Sequence, residues 1–147
     1  MMSNLSSLEI TSEYVAALAA GDTERMNALR TPDFELDFVY GDASASGPLS
    51  SEETKQFWPS WLIGFPEMDY EVTRTIAAED VVVTQWVFMG THSQPLGPPI
   101  FEPVVKPTGR TIMFRGVSIY EISDGLITHE TTYLDLATLM VELGIEP

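Results

Sequence analysis

The sequence predicts an α+β fold: a curved antiparallel sheet, shaped as a cone, with N-terminal helices covering an apolar pocket. Three observations predict it. Helix-start signals crowd the N-terminal part, four strand-like runs fill the second half, and one amphipathic stretch ends the chain. Helices against the concave side of such a sheet leave a cavity. Large apolar groups with a few polar ones around it are the usual form of a small-molecule site.

Each element follows from local chemistry. Ser6-Ser7-Leu8-Glu9 reads as a capping box opening a helix. On its wheel Leu8, Ile10, Thr11, Tyr14, Val15 and Leu18 share the buried half, and Gly21 ends it. Asp22 caps a short second helix that turns Met26 and Leu29 inward, and Thr31-Pro32 stops it. Phe34–Phe38 alternates with period two, as a strand does, and 41–47 is a loop of small residues. Ser50 and Glu53 form a second capping box, for a helix carrying Phe57, Trp58, Trp61 and Leu62 that Pro59 should kink or shorten. Tyr70–Ile76, Val81–Thr91, Thr111–Ile122 and Leu126–Leu134 read as strands, with hairpin turns at Glu79-Asp80 and Asp124-Gly125. Val81–Met89 is apolar on both faces, so cover on both sides is expected. The last helix starts near Asp135, its N-cap, and stops at Gly144. Between Val81–Thr91 and Thr111–Ile122 lies a long proline-rich connection, His92–Arg110, of the kind that serves as a lid, a binding loop or an interface arm.

The whole chain narrows the function. Its 147 residues suit a single domain, 1–147, without staples. It has no cysteine, which excludes disulfides and thiolate metal sites and makes the cytoplasm the expected compartment. The net charge of −15 and the lack of Lys/Arg clusters exclude nucleic acid and anionic lipid as partners. No apolar run approaches the length of a membrane helix, and Glu9 and Glu13 interrupt the small apolar N-terminal stretch that would otherwise suggest a signal peptide. The two histidines lack metal-ligand spacing, so no metal is expected. A small, neutral or weakly charged, apolar ligand is the expected partner.

Tyr14-Val15-Ala16-Ala17-Leu18 followed by Gly21-Asp22 resembles the nuclear transport factor 2-like superfamily. Gly90-Thr91-His92, Pro107-Thr108-Gly109-Arg110, Asp124-Gly125-Leu126-Ile127 and Tyr133-Leu134-Asp135-Leu136 resemble its SnoaL-like polyketide cyclase group. The resemblance covers nearly the whole chain. It implies a homodimer paired through the open side of the sheet, and cofactor-free cyclase- or isomerase-type chemistry on a polycyclic or aromatic ketone-like ligand. It also implies where catalytic groups belong. The cyclase pattern puts an aspartate at the position of Thr132 and a histidine at that of Ser118, and neither residue here titrates near neutral pH. The ketosteroid isomerase pattern puts its oxyanion-hole tyrosine at Tyr14, its base at Phe38, beside Asp37, and a protonated acid near Val117.

Three acid/base candidates follow from the residues. Tyr14 is either a donor to a ligand carbonyl or a core tyrosine whose hydroxyl meets a backbone carbonyl. Glu130 shares a strand face with Thr132 and is either a buried base or a rim carboxylate paired with an arginine. His92 is either a pocket-mouth acid/base group or a strand-end histidine holding the loop, where Arg110 is expected to grip a carboxylate. Phe38, Trp58, Trp61 and Trp86 are expected to line the pocket with Phe114, Ser118 and Thr132, Gly116 and Ser118 leaving room for a ligand. The alternative is a non-catalytic binding module, or a dimerisation domain whose aromatic rings fill the cavity.

Overall fold

Two capping boxes start the long helices. Ser6 Oγ accepts from the Glu9 N–H at 3.1 Å while the Glu9 carboxylate accepts from the Ser6 N–H at 3.1 Å. Ser50 and Glu53 repeat the exchange at 3.2 and 3.0 Å. Each box gives partners to N–H groups that a helix start otherwise leaves bare. In the computed structural model, which describes residues 6–39, 48–98 and 100–145, the chain runs α1 (Ser7–Ala20), α2 (Thr23–Ala28), β1 (Arg30–Val39), β2 (Leu49–Ser50), α3 (Ser51–Gly64), β3 (Asp69–Ala78), β4 (Val81–Thr91), β5 (Thr111–Ser123), β6 (Leu126–Leu134) and α4 (Leu136–Leu143). The small-residue stretch 41–47 lies outside the described residues. α3 runs on through Pro59 to Gly64, so the proline does not shorten it.

The strands form one curved, unclosed sheet in the order β2-β1-β6-β5-β4-β3. β3 to β6 make an antiparallel meander; its last turn puts Asp124 and Gly125 at φ 52° and 79°, as the Asp-Gly pair predicts. One expectation is corrected. The sheet is mixed, because β1 lies parallel to β6, Leu36 opposite Glu130 and Phe38 opposite Thr132. The long excursion through α3 and the meander brings β6 back to the free edge of β1 in the same direction.

Alternation decides which side chains meet the helices. On β4, Val82, Thr84, Trp86 and Phe88 are buried, while Val81 and Met89 stand 37% and 40% exposed on the other face. Cover on both sides is therefore not found within one chain. α3 is held to the buried face by aromatic packing: Trp61 and Phe65 meet Phe88 at centroid distances of 5.2 and 5.0 Å, and Phe88 meets Phe114 at 4.9 Å. α1 contributes Ile10, Thr11, Tyr14, Ala17 and Leu18, whereas Leu8 faces outward.

The proline-rich connection is ordered by specific contacts. Leu96 and Val105 form a β-bridge, and Leu96 packs so tightly on α3 that a Cβ at Gly64 would come within 2.2 Å of it. Arg110 donates to the Glu142 carbonyl of α4 at 3.0 Å, a backbone acceptor in place of the expected carboxylate.

Gly116 shows the tightest fit in the sheet. It pairs with Trp86, and a Cβ there would lie 2.2 Å from the indole and 2.7 Å from the Tyr133 carbonyl. The space expected to admit a ligand is filled by the indole. Gly116→Ala should destabilise the fold by roughly 1–3 kcal/mol, since neither the ring nor the backbone can yield freely. Urea denaturation checks this, and the near-ultraviolet signal of the tryptophans should change with it.

Candidate active site

Between α3, the loop and the sheet lies a cavity of about 470 Å³. Phe38, Trp58, Trp61, Trp86 and Phe114 are on its wall. Ile100 and Phe101 of the proline-rich connection join them, so that segment is part of the cavity. The polar side chains deepest in the wall, Ser118, Thr132 and Glu130, are each no more than 3% exposed.

These three come together through register. Ser118 on β5 lies directly opposite Thr132 on β6, and Tyr120 lies opposite Glu130. The hydroxyls of Ser118 and Thr132 are 2.8 Å apart. Trp86, one pair further along β4, lays its ring over Gly116 and donates its indole N–H to Ser118 Oγ at 2.9 Å. Thr132 donates to Glu130 Oε2 at 2.6 Å, and Glu130 Oε1 has no hydrogen-bond partner.

Electrostatics set the state of that carboxyl. Burial raises the Glu130 pKa from 4.5 to about 7, against the opposing pull of the Thr132 hydrogen bond and the Arg30 charge. Among the described residues Glu130 is the one buried carboxylate and Arg30 the one buried cation. They are not in ion-pair contact. Arg30 instead donates to the Tyr14 oxygen at 3.2 Å and to Asn27 Oδ1, with its guanidinium over the Phe34 ring. Sequence reasoning missed Arg30: between Leu29 and Thr31-Pro32 it reads as a solvent-facing turn residue.

The model of the SnoaL-like polyketide cyclase family matches residues 9–143. The chain belongs to the SnoaL-like polyketide cyclase family. Solved structures agree on the fold, which is that of the nuclear transport factor 2-like superfamily. AclR, a candidate hydroxylase from Streptomyces galilaeus, superimposes with a TM-score of 0.80 at 23% identity, over 96% of this chain and 82% of its own. A candidate SnoaL-like polyketide cyclase from Jannaschia sp. CCS1 also reaches 0.80, at 18% identity over 100% of this chain and 99% of its own. IdmH, a candidate polyketide cyclase from Streptomyces antibioticus, gives 0.74 at 26% identity, over 95% and 99%. No curated protein matches the chain in sequence.

Within the SnoaL-like frame, the structure separates the three acid/base candidates. Glu130 is on the cavity wall, neither on a rim nor paired with an arginine. Tyr14 is fully buried behind the wall, packed edge-on against Tyr120 at 5.8 Å, and its hydroxyl meets Arg30 where a backbone carbonyl was expected. His92 is not at the mouth. It is fully buried under Phe65, and its Nδ1 faces the Thr108 N–H and hydroxyl at 3.2 and 3.1 Å, holding the loop. Asp37 points to the face opposite its neighbour Phe38, which meets Phe57 at 5.1 Å. Among the described residues no three His, Cys, Asp or Glu side chains cluster as metal ligands would. No helix of the described residues is long and apolar enough to cross a membrane.

The buried carboxyl has a consequence for stability. A folded-state pKa raised from 4.5 to about 7 means that the folded chain binds the proton more tightly than the unfolded one. Stability is therefore fully present below the unfolded pKa and falls as pH rises towards the folded one. Glu130→Gln removes that dependence. Relative to wild type, the variant should gain roughly 2–3 kcal/mol of unfolding free energy between pH 5 and pH 8. Denaturant titrations of both proteins at the two pH values read it directly.

Proposed function

We propose that this SnoaL-like protein binds a small apolar molecule, an aromatic or polycyclic ketone-like compound, and moves a proton on it without a cofactor, with Glu130 as the general base. The observation that carries the reading is a buried carboxylate oxygen without a hydrogen-bond partner, on a residue of the aromatic cavity's wall whose pKa is raised to about 7. Glu130 Oε1 takes a proton from a carbon beside the ligand's carbonyl. The C–H electron pair becomes the new C=C bond, and the carbonyl oxygen takes the negative charge, spread over the ligand's own conjugation. The enolate then either recovers the proton from Glu130 at another carbon, an isomerisation, or its carbon attacks a second carbonyl, whose π pair goes to oxygen and takes the proton back from Glu130 as the ring closes. Tyr70, on the same wall and stacked on Trp86 at 5.3 Å, is held well above the ordinary tyrosine range by burial and so keeps its proton as a donor. The aromatic lining suits an aromatic or polycyclic ligand, and the overall charge of −15 favours a neutral one. An open cavity of this size argues against a filled core serving dimerisation alone.

The test uses a panel of aryl β-keto esters and steroid-like ketones and phenols. Wild type should bind at least one panel compound and speed exchange of its acidic C–H for deuterium, followed by proton NMR. Glu130→Gln should bind within a few-fold of wild type yet lose about 10²–10⁴-fold of the exchange rate. Equal exchange in the variant would remove Glu130 as the base. Binding without exchange in wild type would make the protein a binding module.

We further propose that two copies pair through the outer sheet face. Met89, Met113 and Tyr133, on adjoining strands of that face, are 40%, 59% and 47% exposed. Sedimentation should find a dimer for wild type and a monomer for the double variant Met113→Glu, Tyr133→Glu. A monomeric wild type at tens of micromolar would overturn the pairing.

A further inference from the structure

The two positions where the cyclase pattern would place titratable groups carry hydroxyls here, and those hydroxyls are not idle. We infer that Trp86, Ser118 and Thr132 form a one-directional hydrogen-bond relay. It holds the Glu130 carboxylate through Oε2 and leaves Oε1 as the oxygen that meets the ligand. These three are positioning residues. Only the catalytic consequence rests on the reading of Glu130 as a base; the relay itself does not.

Donor inventory fixes the direction. An indole nitrogen only donates, so Ser118 Oγ accepts from Trp86 across 2.9 Å. An ionised carboxylate only accepts, so the Thr132 hydroxyl proton goes to Glu130 Oε2 across 2.6 Å. The Ser118 proton then goes to Thr132 across 2.8 Å. Each hydroxyl gives one bond and takes one, and each residue is no more than 3% exposed. In such surroundings successive hydrogen bonds polarise one another, so the far end of the chain acts on the carboxylate without touching it. The indole occupies the space that a Cβ at residue 116 would need, so Gly116 is what lets it lie there. The charged and titratable neighbours of Glu130 from the other elements are Arg30 of β1, Tyr14 of α1, Tyr70 of β3 and Tyr120 of β5. Burial holds all three tyrosines protonated, so near neutral pH none of them competes with Glu130 for its proton.

The experiment follows the Glu130 carboxyl carbon by NMR in glutamate-labelled protein, the signal being identified by its loss in Glu130→Gln. Thr132→Val removes the bond that favours the ionised form and should move the titration midpoint up by about one pH unit. Ser118→Ala should move it up by less, and Trp86→Phe by less again. Thr132→Ser, which keeps a hydroxyl, should restore the wild-type midpoint. Loosened packing that admits water would shift the midpoint the opposite way, because hydration favours the charge. A shift in Thr132→Val with none in Ser118→Ala and Trp86→Phe would reduce the relay to a single bond and overturn it. If Trp86→Phe does not fold, Ser118→Ala decides alone. The deuterium exchange assay separates the two ideas. Shifted midpoints with exchange intact in Glu130→Gln would keep the relay and remove the base; unshifted midpoints with exchange lost would do the reverse.

Discussion

A buried carboxyl group in the wall of an aromatic cavity is the constraint around which this chain is arranged. An isolated buried carboxylate costs far more than a small domain can spare, so it must be solvated by the protein or neutralised. Glu130 is solvated in part: one charge-assisted hydrogen bond from Thr132, and the field of Arg30 without contact. That partial compensation leaves the group near pH 7, where small environmental changes move its charge. Full pairing with Arg30 would have fixed it as an anion; no partner at all would have fixed it as an acid.

The rest of the interior serves that balance. Arg30 is held away from Glu130 by one hydrogen bond each to Tyr14 and Asn27 and by Phe34 beneath its guanidinium, its Nε remaining without a partner. Trp86 can reach Ser118 because Gly116 has no side chain. α3 supplies the aromatic wall and is fastened twice, by Trp61 and Phe65 on the sheet and by Leu96 of the long connection over Gly64. His92, unused by the chemistry, anchors that connection from below, and burial lowers its pKa so that the neutral ring can accept from Thr108. A segment that reads as a lid, a binding loop or an interface arm thus contributes Ile100 and Phe101 to the cavity wall.

Much of this was legible in the sequence because it is local. Capping boxes, an Asp-Gly hairpin and period-two alternation act within a few residues, so the elements and the shared face of Glu130 and Thr132 could be read directly. What was not legible depends on which distant residue fills a gap. The wheel put Tyr14 inside but could not say that an arginine would meet its hydroxyl. Gly116 and Ser118 looked like empty space because nothing local announces an indole from the neighbouring strand. The parallel pairing of β1 with β6 was hidden for the same reason: alternation gives a strand its faces, not its neighbour.

The position of the carboxylate also constrains how a ligand sits. The cyclase pattern places its acid at the position of Thr132; here the acid is two residues earlier on the same strand. Period two keeps it on the cavity face, so the displacement runs along the strand and measures about 6–7 Å. The one extra methylene of glutamate over aspartate adds only about 1.5 Å of reach, too little to recover the original spot. On the proposed reading, the reacting carbon of a ligand lies towards the end of the cavity lined by Leu36, the register partner of Glu130 on β1. The vacated position beside Phe38 is left to a threonine that can donate a hydrogen bond but cannot take a proton at neutral pH. At both positions where the cyclase pattern has a titratable group this sequence has a hydroxyl, and both hydroxyls belong to the hydrogen-bond chain that ends on Glu130.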